Sequence, residues 1–500
     1  MRRRRRSQPS SPVWIHYLRQ RPTGPIGLDD PCRLPCPVQA GGCHCRRSEG
    51  QRMTSSITPS WPRLTGRQEF EFLAELVMSH STGDHTYLSL RDVHGGTTRF
   101  ANNQVIQNVN QRRGALSITV AFGRQHGTAS TTDFTAGAVR ETLKQAECIA
   151  RISPEDPEYL PPVGPQTYLS LPTSRPETSA AGPARRLDYA REAIGQCKME
   201  NLNAAGTVSS STAIVGLAAD TGLRAYEERT EARFSLTVQA GEATGWSAAA
   251  HRSIDRLHVQ ERTLAAIIKA KRGADEPREL PPGRYTVILE PAAVAGLLSW
   301  MIWMLDAKSF YKGTSPFSRK LNTRILDRRL SLFNQPAHAD LLGHGFTSEG
   351  LPVIESSWIE AGVLNQLLHD RFTAQEHGID PLTTLESPYL SGERPVGTRV
   401  DDLIRTTQRG ILVTNFWYIR PVNPSDLTLT GMTRDGTFLI ENGEITSAVR
   451  NFRFHESPLR AFNQVETYTA PVEAVTSETG KFLVPAMRIN GFNFSSVTRF

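Results

Sequence analysis

The sequence has 500 residues, too many for one ordinary hydrophobic core, so we expect two or three domains. Hydrophobic residues make up 38% of the chain and charged residues 21%, a balance that argues against a disordered protein and favours a globular one. The formal net charge is +7, but residues 1–52 alone contribute +8, with eleven Arg and three acidic residues. The rest of the chain therefore carries a net charge near −1, which gives nucleic-acid binding no support.

The first 53 residues differ from the rest in composition. They open with the basic run 2–6, contain many prolines and show neither helical nor strand periodicity. Such a stretch cannot bury enough apolar surface to order itself, and it lacks the apolar segment of a secretory signal. We therefore predict a disordered extension over residues 1–53, with Met53 a candidate for the natural start.

The six cysteines fall into two groups. Four of them surround His44, and a small zinc knuckle is one interpretation of that group: Cys32, Cys36, Cys43 and Cys45. Their spacing matches no common zinc ribbon or finger, so a fortuitous cluster is the favoured alternative. Cys148 and Cys197 lie in predicted helices, where we expect small buried hydrophobic residues. No disulfide framework is implied, which favours a cytoplasmic location, and no apolar run is long enough for a membrane span.

An N-terminal domain is predicted over residues 60–155. Phe70, Leu73, Ala74 and Val77 are spaced as the apolar stripe of a helix that begins near Arg67. Three extended segments follow at 87–93, 97–109 and 116–122, and Gly95-Gly96 and Arg113-Gly114 are expected to supply the turns. A helix over 135–151 closes the domain, and the proline-rich stretch 154–176 marks its boundary.

A central α/β domain is predicted over residues 175–280. It begins with a helix at 183–199 and continues with strands at 207–217, 223–228 and 234–239. A long helix at 252–271 follows. Its buried side is expected to carry Leu257, Leu264, Ala265 and Ile268.

The C-terminal domain, residues 283–500, is predicted to be rich in β-strands. It opens with a strand at 285–289 and an apolar helix at 292–305, and then consists mostly of strands and turns. Two tight hairpins are indicated near residues 359–363 and 440–445, the second by an Asn-Gly pair. The fold class is therefore α+β, an N-terminal α/β region followed by a β-rich domain.

A search for metal ligands among the histidines finds no site. His338 and His344 lie in a glycine-containing loop at no known ligand spacing, and His251 and His258 would be two helical turns apart, too far for one ion. Nucleophile and nucleotide-binding motifs are equally absent, since the sequence contains no Gly-x-Ser-x-Gly elbow and no glycine-rich phosphate loop. No catalytic, cofactor-binding or metal-binding residue is therefore assigned to this chain.

Two features near the C-terminal strands remain open to interpretation. In the segment 410–420, an apolar strand leads into Trp417, Tyr418 and Arg420, which suit either a peptide-binding groove or the end of a buried strand. Asp435 and Glu441 precede glycines, and we interpret them as turn and surface carboxylates rather than an acid–base pair.

An ordered series of short motifs from about residue 70 to the end resembles the TldD/PmbA family, also called modulators of DNA gyrase. The N-terminal motifs are RFANN followed by QVIQ at 99–107 and VAFGR at 120–124. The segment VILEP at 287–291 looks like the family's strand before its central helix. The later motifs follow in the family's order: GTSPF at 313–317, EGLP at 349–352, IEAGVL at 359–364, GMTRDGTFLIENG at 431–443 and NFR at 451–453.

The resemblance implies an intracellular zinc-dependent peptidase acting on small or unfolded polypeptides. Catalytic members of the family carry His-Glu-x-x-x-His on the central helix and a cysteine ligand nearer the C-terminus. In this sequence the corresponding positions, Ser299 to Met304, hold no imidazole or carboxylate, and no cysteine follows Cys197. The chain therefore resembles the PmbA (TldE-like) members, which lack the zinc motif and pair with a zinc-bearing TldD subunit.

Two functions follow from this resemblance. The first is the zinc-lacking subunit of a heteromeric peptidase, with zinc in the partner subunit, a peptide substrate and no contact with nucleic acid or membrane. The alternative is a non-catalytic, homodimeric peptide-binding or scaffold protein in which the helix with Trp300 and Trp303 is buried. The tryptophans and methionines of that helix would pack against a core or a partner.

Overall fold

The computed structural model describes residues 63–476 and 480–498, and the predicted extension with its four cysteines and His44 lies outside them. The described residues form three β-sheets and ten α-helices in the α+β arrangement predicted from the sequence. None of these helices is long and apolar enough to cross a membrane. The helices are α1 (Arg67–His80), α2 (Ala136–Ile152), α3 (Pro176–Ser179), α4 (Pro183–Met199), α5 (Val259–Arg272), α6 (Pro291–Trp303), α7 (Ala307–Tyr311), α8 (Arg371–His377), α9 (Val400–Ile404) and α10 (Pro458–Asn463).

The first sheet is antiparallel and has the strand order β3-β2-β1-β4-β5-β6. Pairing of β1 with β4 joins the strands of the predicted N-terminal and central regions into this one sheet. Helix α1 packs against β1 and β4, α2 against β2 and β3, α4 against β4 and β1, and α5 against β5 and β6. The strands are β1 (His85–Ala101), β2 (Gln104–Phe122), β3 (Gln125–Thr131), β4 (Asn203–Ala219), β5 (Arg224–Ala240) and β6 (Ala243–His251).

The turns predicted at Gly95-Gly96 and at Arg113-Gly114 are wrong, because β1 and β2 run straight through them. The chain reverses at Asn102 and Asn103, whose φ angles of 49° and 59° suit a tight hairpin turn. Gly96 serves a different purpose: a Cβ atom there would collide with the carbonyl oxygen of Val109 and with the Arg186 side chain. Glycine is required by close approach of neighbouring groups, not by a turn.

The long helix predicted over 252–271 is also wrong in its first part. His251 ends β6, a short 3₁₀ turn spans Ile254–Leu257, and His258 has a left-handed backbone (φ 48°) before α5 begins. This break rotates α5, so its buried residues are Val259, Thr263, Ala266, Ile267 and Ala270. Leu264 and Ile268, expected inside, are 55% and 41% exposed.

The second sheet has the strand order β10-β9-β8-β11-β18-β17. The predicted hairpin near residue 360 is confirmed by β9 and β10, whose turn residues Ala361 and Gly362 have positive φ angles. The strands are β8 (Leu330–Asn334), β9 (Ser356–Glu360), β10 (Val363–Leu364), β11 (Pro388–Gly392), β17 (Val472–Val475) and β18 (Lys481–Val484).

The third sheet closes on itself. Its order is β12-β7-β19-β15-β13-β14, and β12 also pairs with β13, so β12, β7, β19, β15 and β13 form a five-stranded ring. Phenylalanines fill the core: the Phe452 and Phe494 ring centroids are 4.5 Å apart, and those of Phe416 and Phe454 are 4.6 Å apart. The strands are β7 (Gly283–Leu289), β12 (Arg409–Asn423), β13 (Thr428–Glu441), β14 (Glu444–Ala448), β15 (Phe452–Glu456), β16 (Val465–Tyr468) and β19 (Met487–Val497), of which β16 pairs with β19 outside the ring.

Candidate functional site

Helix α6 lies at the centre of the C-terminal half. It begins directly after β7, with Pro291 in its first turn, where a missing backbone N–H is tolerated. Six apolar side chains on it are completely buried: Ala293, Val294, Ala295, Leu297, Leu298 and Met301. Gly296 faces β12, since a Cβ atom there would lie 3.3 Å from Cδ1 of Ile419. The helix is therefore fixed by packing against the core and β12.

The resemblance implies that the family's zinc motif would fall at Ser299 to Met304, which are the last residues of α6 and its C-cap. Ser299 is buried and donates to the carbonyl oxygen of Gly296 at 2.9 Å, which is a bond within the helix. Trp300 meets Trp303 edge to face at a centroid distance of 4.9 Å. Trp303 is 54% exposed, so this end of α6 presents an indole to solvent.

The two histidine pairs that the sequence analysis rejected as metal ligands lie in separate environments. His344 Nε2 lies 2.8 Å from Glu386, whereas the His338 ring packs on Tyr389. His251 is buried at the end of β6, and His258 is exposed on the far side of the 3₁₀ turn. Across residues 63–476 and 480–498, no group of three His, Cys, Asp or Glu side chains is arranged to hold a metal ion.

The two cysteines of the described region differ in environment. Cys197 on α4 is completely buried, as predicted, and burial raises the pKa of its thiol to about 11. Cys148 on α2 is only half-buried, which corrects the prediction that both are buried. The Cys197 thiol stays protonated at neutral pH because its pKa is so high, and a protonated thiol is a poor nucleophile. Cys197 therefore acts as a packing residue.

An ion pair links helix α5, which packs on the first sheet, to the residue before α6. The Lys269 ammonium on α5 lies 2.6 Å from a carboxylate oxygen of Glu290, the residue before α6, and both side chains are less than one-fifth exposed. Lys269 also contributes positive charge near Asp435 on β13. The interaction positions the first turn of α6 against α5.

Asp435 is buried, which corrects its interpretation as a surface carboxylate. Its side chain is 6% exposed because β6 packs against β13 and places Thr244 within hydrogen-bonding reach. Burial raises the pKa of Asp435 above its usual value, although Arg434 and Lys269 oppose that shift. Its backbone is left-handed (φ 57°), and Oδ1 has no hydrogen-bond partner among the described residues. Glu441, at the Asn442–Gly443 hairpin, is half-buried.

Two neighbouring aromatic rings flanked by two guanidinium groups form a row along β12 and β13 beside α6. The Arg434 guanidinium lies 4.5 Å from the centre of the Trp417 ring, Trp417 lies 5.7 Å from Tyr418, and Arg420 lies 4.3 Å from the Tyr418 ring. We call Arg434, Trp417, Tyr418 and Arg420 the aromatic–arginine row. Such stacks are attractive because the ring face is electron-rich.

The interpretation of segment 410–420 as the end of a buried strand is confirmed for part of its residues, and its role in peptide binding stays a prediction. Phe416 and Ile419 are buried in the core, as expected for the end of a core strand. Trp417 and Tyr418 are 42% and 51% exposed, because register shifts in the β12–β13 pairing and the left-handed backbone of Tyr418 (φ 55°) turn consecutive side chains outward. Exposed rings between guanidinium groups can contact the apolar and acidic side chains of a peptide.

A buried charged cluster near β18 was missed from the sequence. Lys481 is completely buried with its ammonium 2.9 Å from Glu473, and Arg262 lies 3.4 Å from the same carboxylate. Burial, together with the positive charge of Lys481, lowers the pKa of His251 to about 4. Arg262 and Glu473 are 211 residues apart in the chain, so no local pattern in the sequence signals the cluster.

Comparison with known proteins places two family models on the chain. The PmbA/TldA metallopeptidase central domain matches residues 176–274, and the PmbA/TldA metallopeptidase C-terminal domain matches residues 282–496. The metalloprotease PmbA of Escherichia coli O157:H7 is 23% identical over 436 residues, covering 83% of this chain and 94% of that protein. A PmbA homologue from Haemophilus influenzae is 23% identical over 455 residues, covering 85% and 96%.

Solved structures show the same fold. TldE from Thermococcus kodakarensis matches with a TM-score of 0.76 at 18% identity, covering 85% of this chain and all of that one. A putative modulator of DNA gyrase from Thermotoga maritima also matches with a TM-score of 0.76 at 18% identity, covering 86% of this chain and all of that one.

Proposed function

The chain belongs to the PmbA/TldD metallopeptidase family, and from that membership we propose that it is the zinc-lacking subunit of a heteromeric cytoplasmic peptidase. The partner would be a paralogue that carries His-Glu-x-x-x-His and binds zinc, and the substrates would be small or unfolded peptides. The observation that carries the proposal is the composition of α6. Serine, tryptophan and methionine stand where zinc ligands and a general base would be needed.

The side chains of α6 do not suit zinc at these positions. The Ser299 hydroxyl is engaged with Gly296 inside the helix, and an indole and a thioether are poor ligands for Zn²⁺. In the proposed complex, zinc held by the partner would supply the activation of water that peptide hydrolysis needs. This chain would contribute surface that holds the peptide near that zinc.

The aromatic–arginine row is the part of this chain that best suits a peptide. Its rings are exposed, its guanidinium groups are held against them, and it lies beside α6, against which Ile419 packs. Aromatic and arginine side chains contribute a large share of binding energy at peptide and protein interfaces. The row would therefore bind apolar and acidic side chains without requiring one particular sequence.

Co-expression with the zinc-bearing paralogue of the same genome tests the proposal. We expect the two chains to elute together in size-exclusion chromatography and to hydrolyse an unfolded peptide faster than the paralogue does alone. Separate elution, with unchanged hydrolysis by the paralogue, would refute it.

A homodimeric peptide-binding scaffold is the second candidate, favoured by one observation. Trp303 is 54% exposed, and an exposed indole that meets a second indole edge to face suits burial against another copy of the chain. Mass photometry of the purified chain distinguishes the two: a stable homodimer supports the scaffold, and a monomer that dimerises only with the paralogue supports the peptidase subunit.

A further inference from the structure

A polar cleft with a volume of about 570 Å³ opens on the outside of the strand ring, away from the residues described above. It lies between the start of β7, the loop around residues 320–325 and α10. Such a volume falls in the range of small-molecule binding sites. Basic side chains dominate its wall: Arg284, Lys320, Arg324 and Arg460.

The cleft carries a surplus of positive charge. The four basic side chains contribute +4 and its two carboxylates, Asp426 and Glu456, contribute −2, which leaves +2 with His455 neutral. The four basic side chains line one cleft, and charges of the same sign repel one another. A bound anion would relieve this repulsion. Burial and the neighbouring Arg284 charge lower the pKa of Arg460, as expected where guanidinium groups crowd together.

The two carboxylates are already engaged by the protein. Glu456 is 3% exposed and accepts hydrogen bonds from Arg460 Nε at 2.7 Å and from the backbone N–H groups of Ser457 and Asn493 at 2.9 and 3.0 Å. Asp426 accepts from the backbone N–H of Thr428 at 2.9 Å. Hydrogen bonds from Thr428 lower the pKa of Asp426. The carboxylate therefore stays ionised and is already hydrogen-bonded to the protein.

Two of the four cations have no carboxylate partner. Arg324 is exposed, and within the described part of the chain no acidic oxygen lies within 4 Å of it or of Lys320. The Lys320 ammonium donates to the carbonyl oxygen of Pro316 at 2.7 Å, which leaves its charge uncompensated. Guanidinium and ammonium groups arranged in this way favour oxyanions, which accept several hydrogen bonds at once.

We propose that this cleft binds a small ligand with at least two ionised oxyanion groups, either phosphoryl or carboxyl. Arg324 and Lys320 would contact the anion directly, and Arg284, which lies 3.8 Å from the Glu456 carboxylate, would add a third donor. Arg460 is held by Glu456 and sets the shape of the cleft floor. This site is separate from the proposed peptidase role and does not depend on a partner chain.

Isothermal titration calorimetry of the full chain at low ionic strength tests the proposal, with pyrophosphate and citrate as the two probes. We expect saturable binding of at least one probe with a Kd below about 1 mM. Pyrophosphate alone would identify a phosphoryl ligand, citrate alone a carboxylate ligand, and both a site for small polyanions. Absence of saturable binding by either probe would overturn the proposal.

Matched variants separate the cleft from general electrostatic attraction. Arg324→Ala should weaken binding at least tenfold, whereas Arg328→Ala, which removes the same charge from an exposed position outside the cleft, should change it less than twofold. Circular dichroism melting curves should be unchanged in both, because both side chains are exposed. Equal weakening by the two variants would also overturn the proposal.

Discussion

Lys269 and Glu290 join two parts of the chain that the sequence gives no reason to pair. The ammonium of Lys269, in the last turns of α5, lies 2.6 Å from the Glu290 carboxylate at the start of α6. The pair is mostly shielded from solvent, so the loss of one partner leaves a poorly hydrated charge on the other.

We predict that Lys269→Met destabilises the chain by about 1–2 kcal/mol, measured by urea denaturation. Lys271→Met on the same helix is the control, because Lys271 pairs with Glu200 in a position where both side chains are more than two-fifths exposed. That control should stay within about 0.5 kcal/mol of the parent. Equal losses would show that shielding of the Lys269–Glu290 pair is energetically unimportant.

Acid should destabilise the protein through His251. An unfolded histidine titrates near pH 6.5 and the folded one near 4, so the folded state binds fewer protons between these values and stability is lost as the pH falls through them. The residue accounts for about 2 kcal/mol between pH 7 and pH 5. His251→Asn keeps an acceptor for the Ser253 N–H and should flatten this part of the profile in urea titrations. His258→Asn, at an exposed position, should leave the profile unchanged; a flattened profile there would contradict the assignment.

The glycine pair in β1 should tolerate no side chain. Gly96→Ala forces a Cβ atom against the Val109 carbonyl and the Arg186 guanidinium, and we expect a loss of about 3 kcal/mol or more. Gly195→Ala is the matched change, since it lies inside α4 with open space around the new methyl group. That variant should gain about 0.5–1 kcal/mol, because it restricts the unfolded chain. Thermal unfolding of both variants tests whether Gly96→Ala lowers the stability of the protein and Gly195→Ala raises it.

Trp303→Glu should weaken the subunit contact that covers this end of α6 at least tenfold, with the paralogue in the proposed peptidase or with a second copy in the scaffold, since a carboxylate would be buried where an indole packs. The melting temperature of the isolated chain should change little because the side chain is half-exposed. Phe72→Glu on α1, another exposed aromatic position, should leave association unchanged. Analytical ultracentrifugation of the mixtures gives both affinities, and retained affinity in the Trp303 variant would place the interface elsewhere.

Trp417→Ala should weaken binding of a fluorescently labelled unstructured peptide about fivefold to thirtyfold, because it removes the central ring of the aromatic–arginine row. Arg434→Ala should have a smaller effect that grows when the peptide contains aspartate or glutamate. Arg453→Ala provides the control, since Arg453 lies near Met432 on β13 and outside the row. Fluorescence anisotropy measures all three, and an unchanged affinity for the Trp417 variant would exclude the row from peptide binding.

Elements whose start and periodicity lie within their own residues were predicted well from the sequence. The helix over 183–199 matches α4 residue for residue, because Pro183 starts it and its periodic apolar positions need no distant partner. Glycines misled the prediction in β1, since a glycine required by close packing looks the same in sequence as one that makes a turn. The left-handed His258 similarly gave no signal, and it changed which face of α5 is buried.

The candidate site depended on contacts between distant segments. Asp435 precedes a glycine and looked like a turn residue, yet β6 of another sheet covers it. The indoles of α6 were visible in the sequence as residues unsuited to bind zinc, but their exposure was not. The sequence indicated only the β12 residues of the aromatic–arginine row. Arg434 lies on β13 and reaches Trp417 through the pairing of β12 with β13.

Closure of the five-stranded ring also constrains the order of assembly. Strand β19 lies between β7 and β15, although it is synthesised long after β7. Until β19 emerges from the ribosome, β7 and β15 each keep an unpaired edge and the phenylalanine core lacks Phe492 and Phe494. The C-terminal half must therefore fold late, and its exposed edges during synthesis are where a chaperone would be needed most.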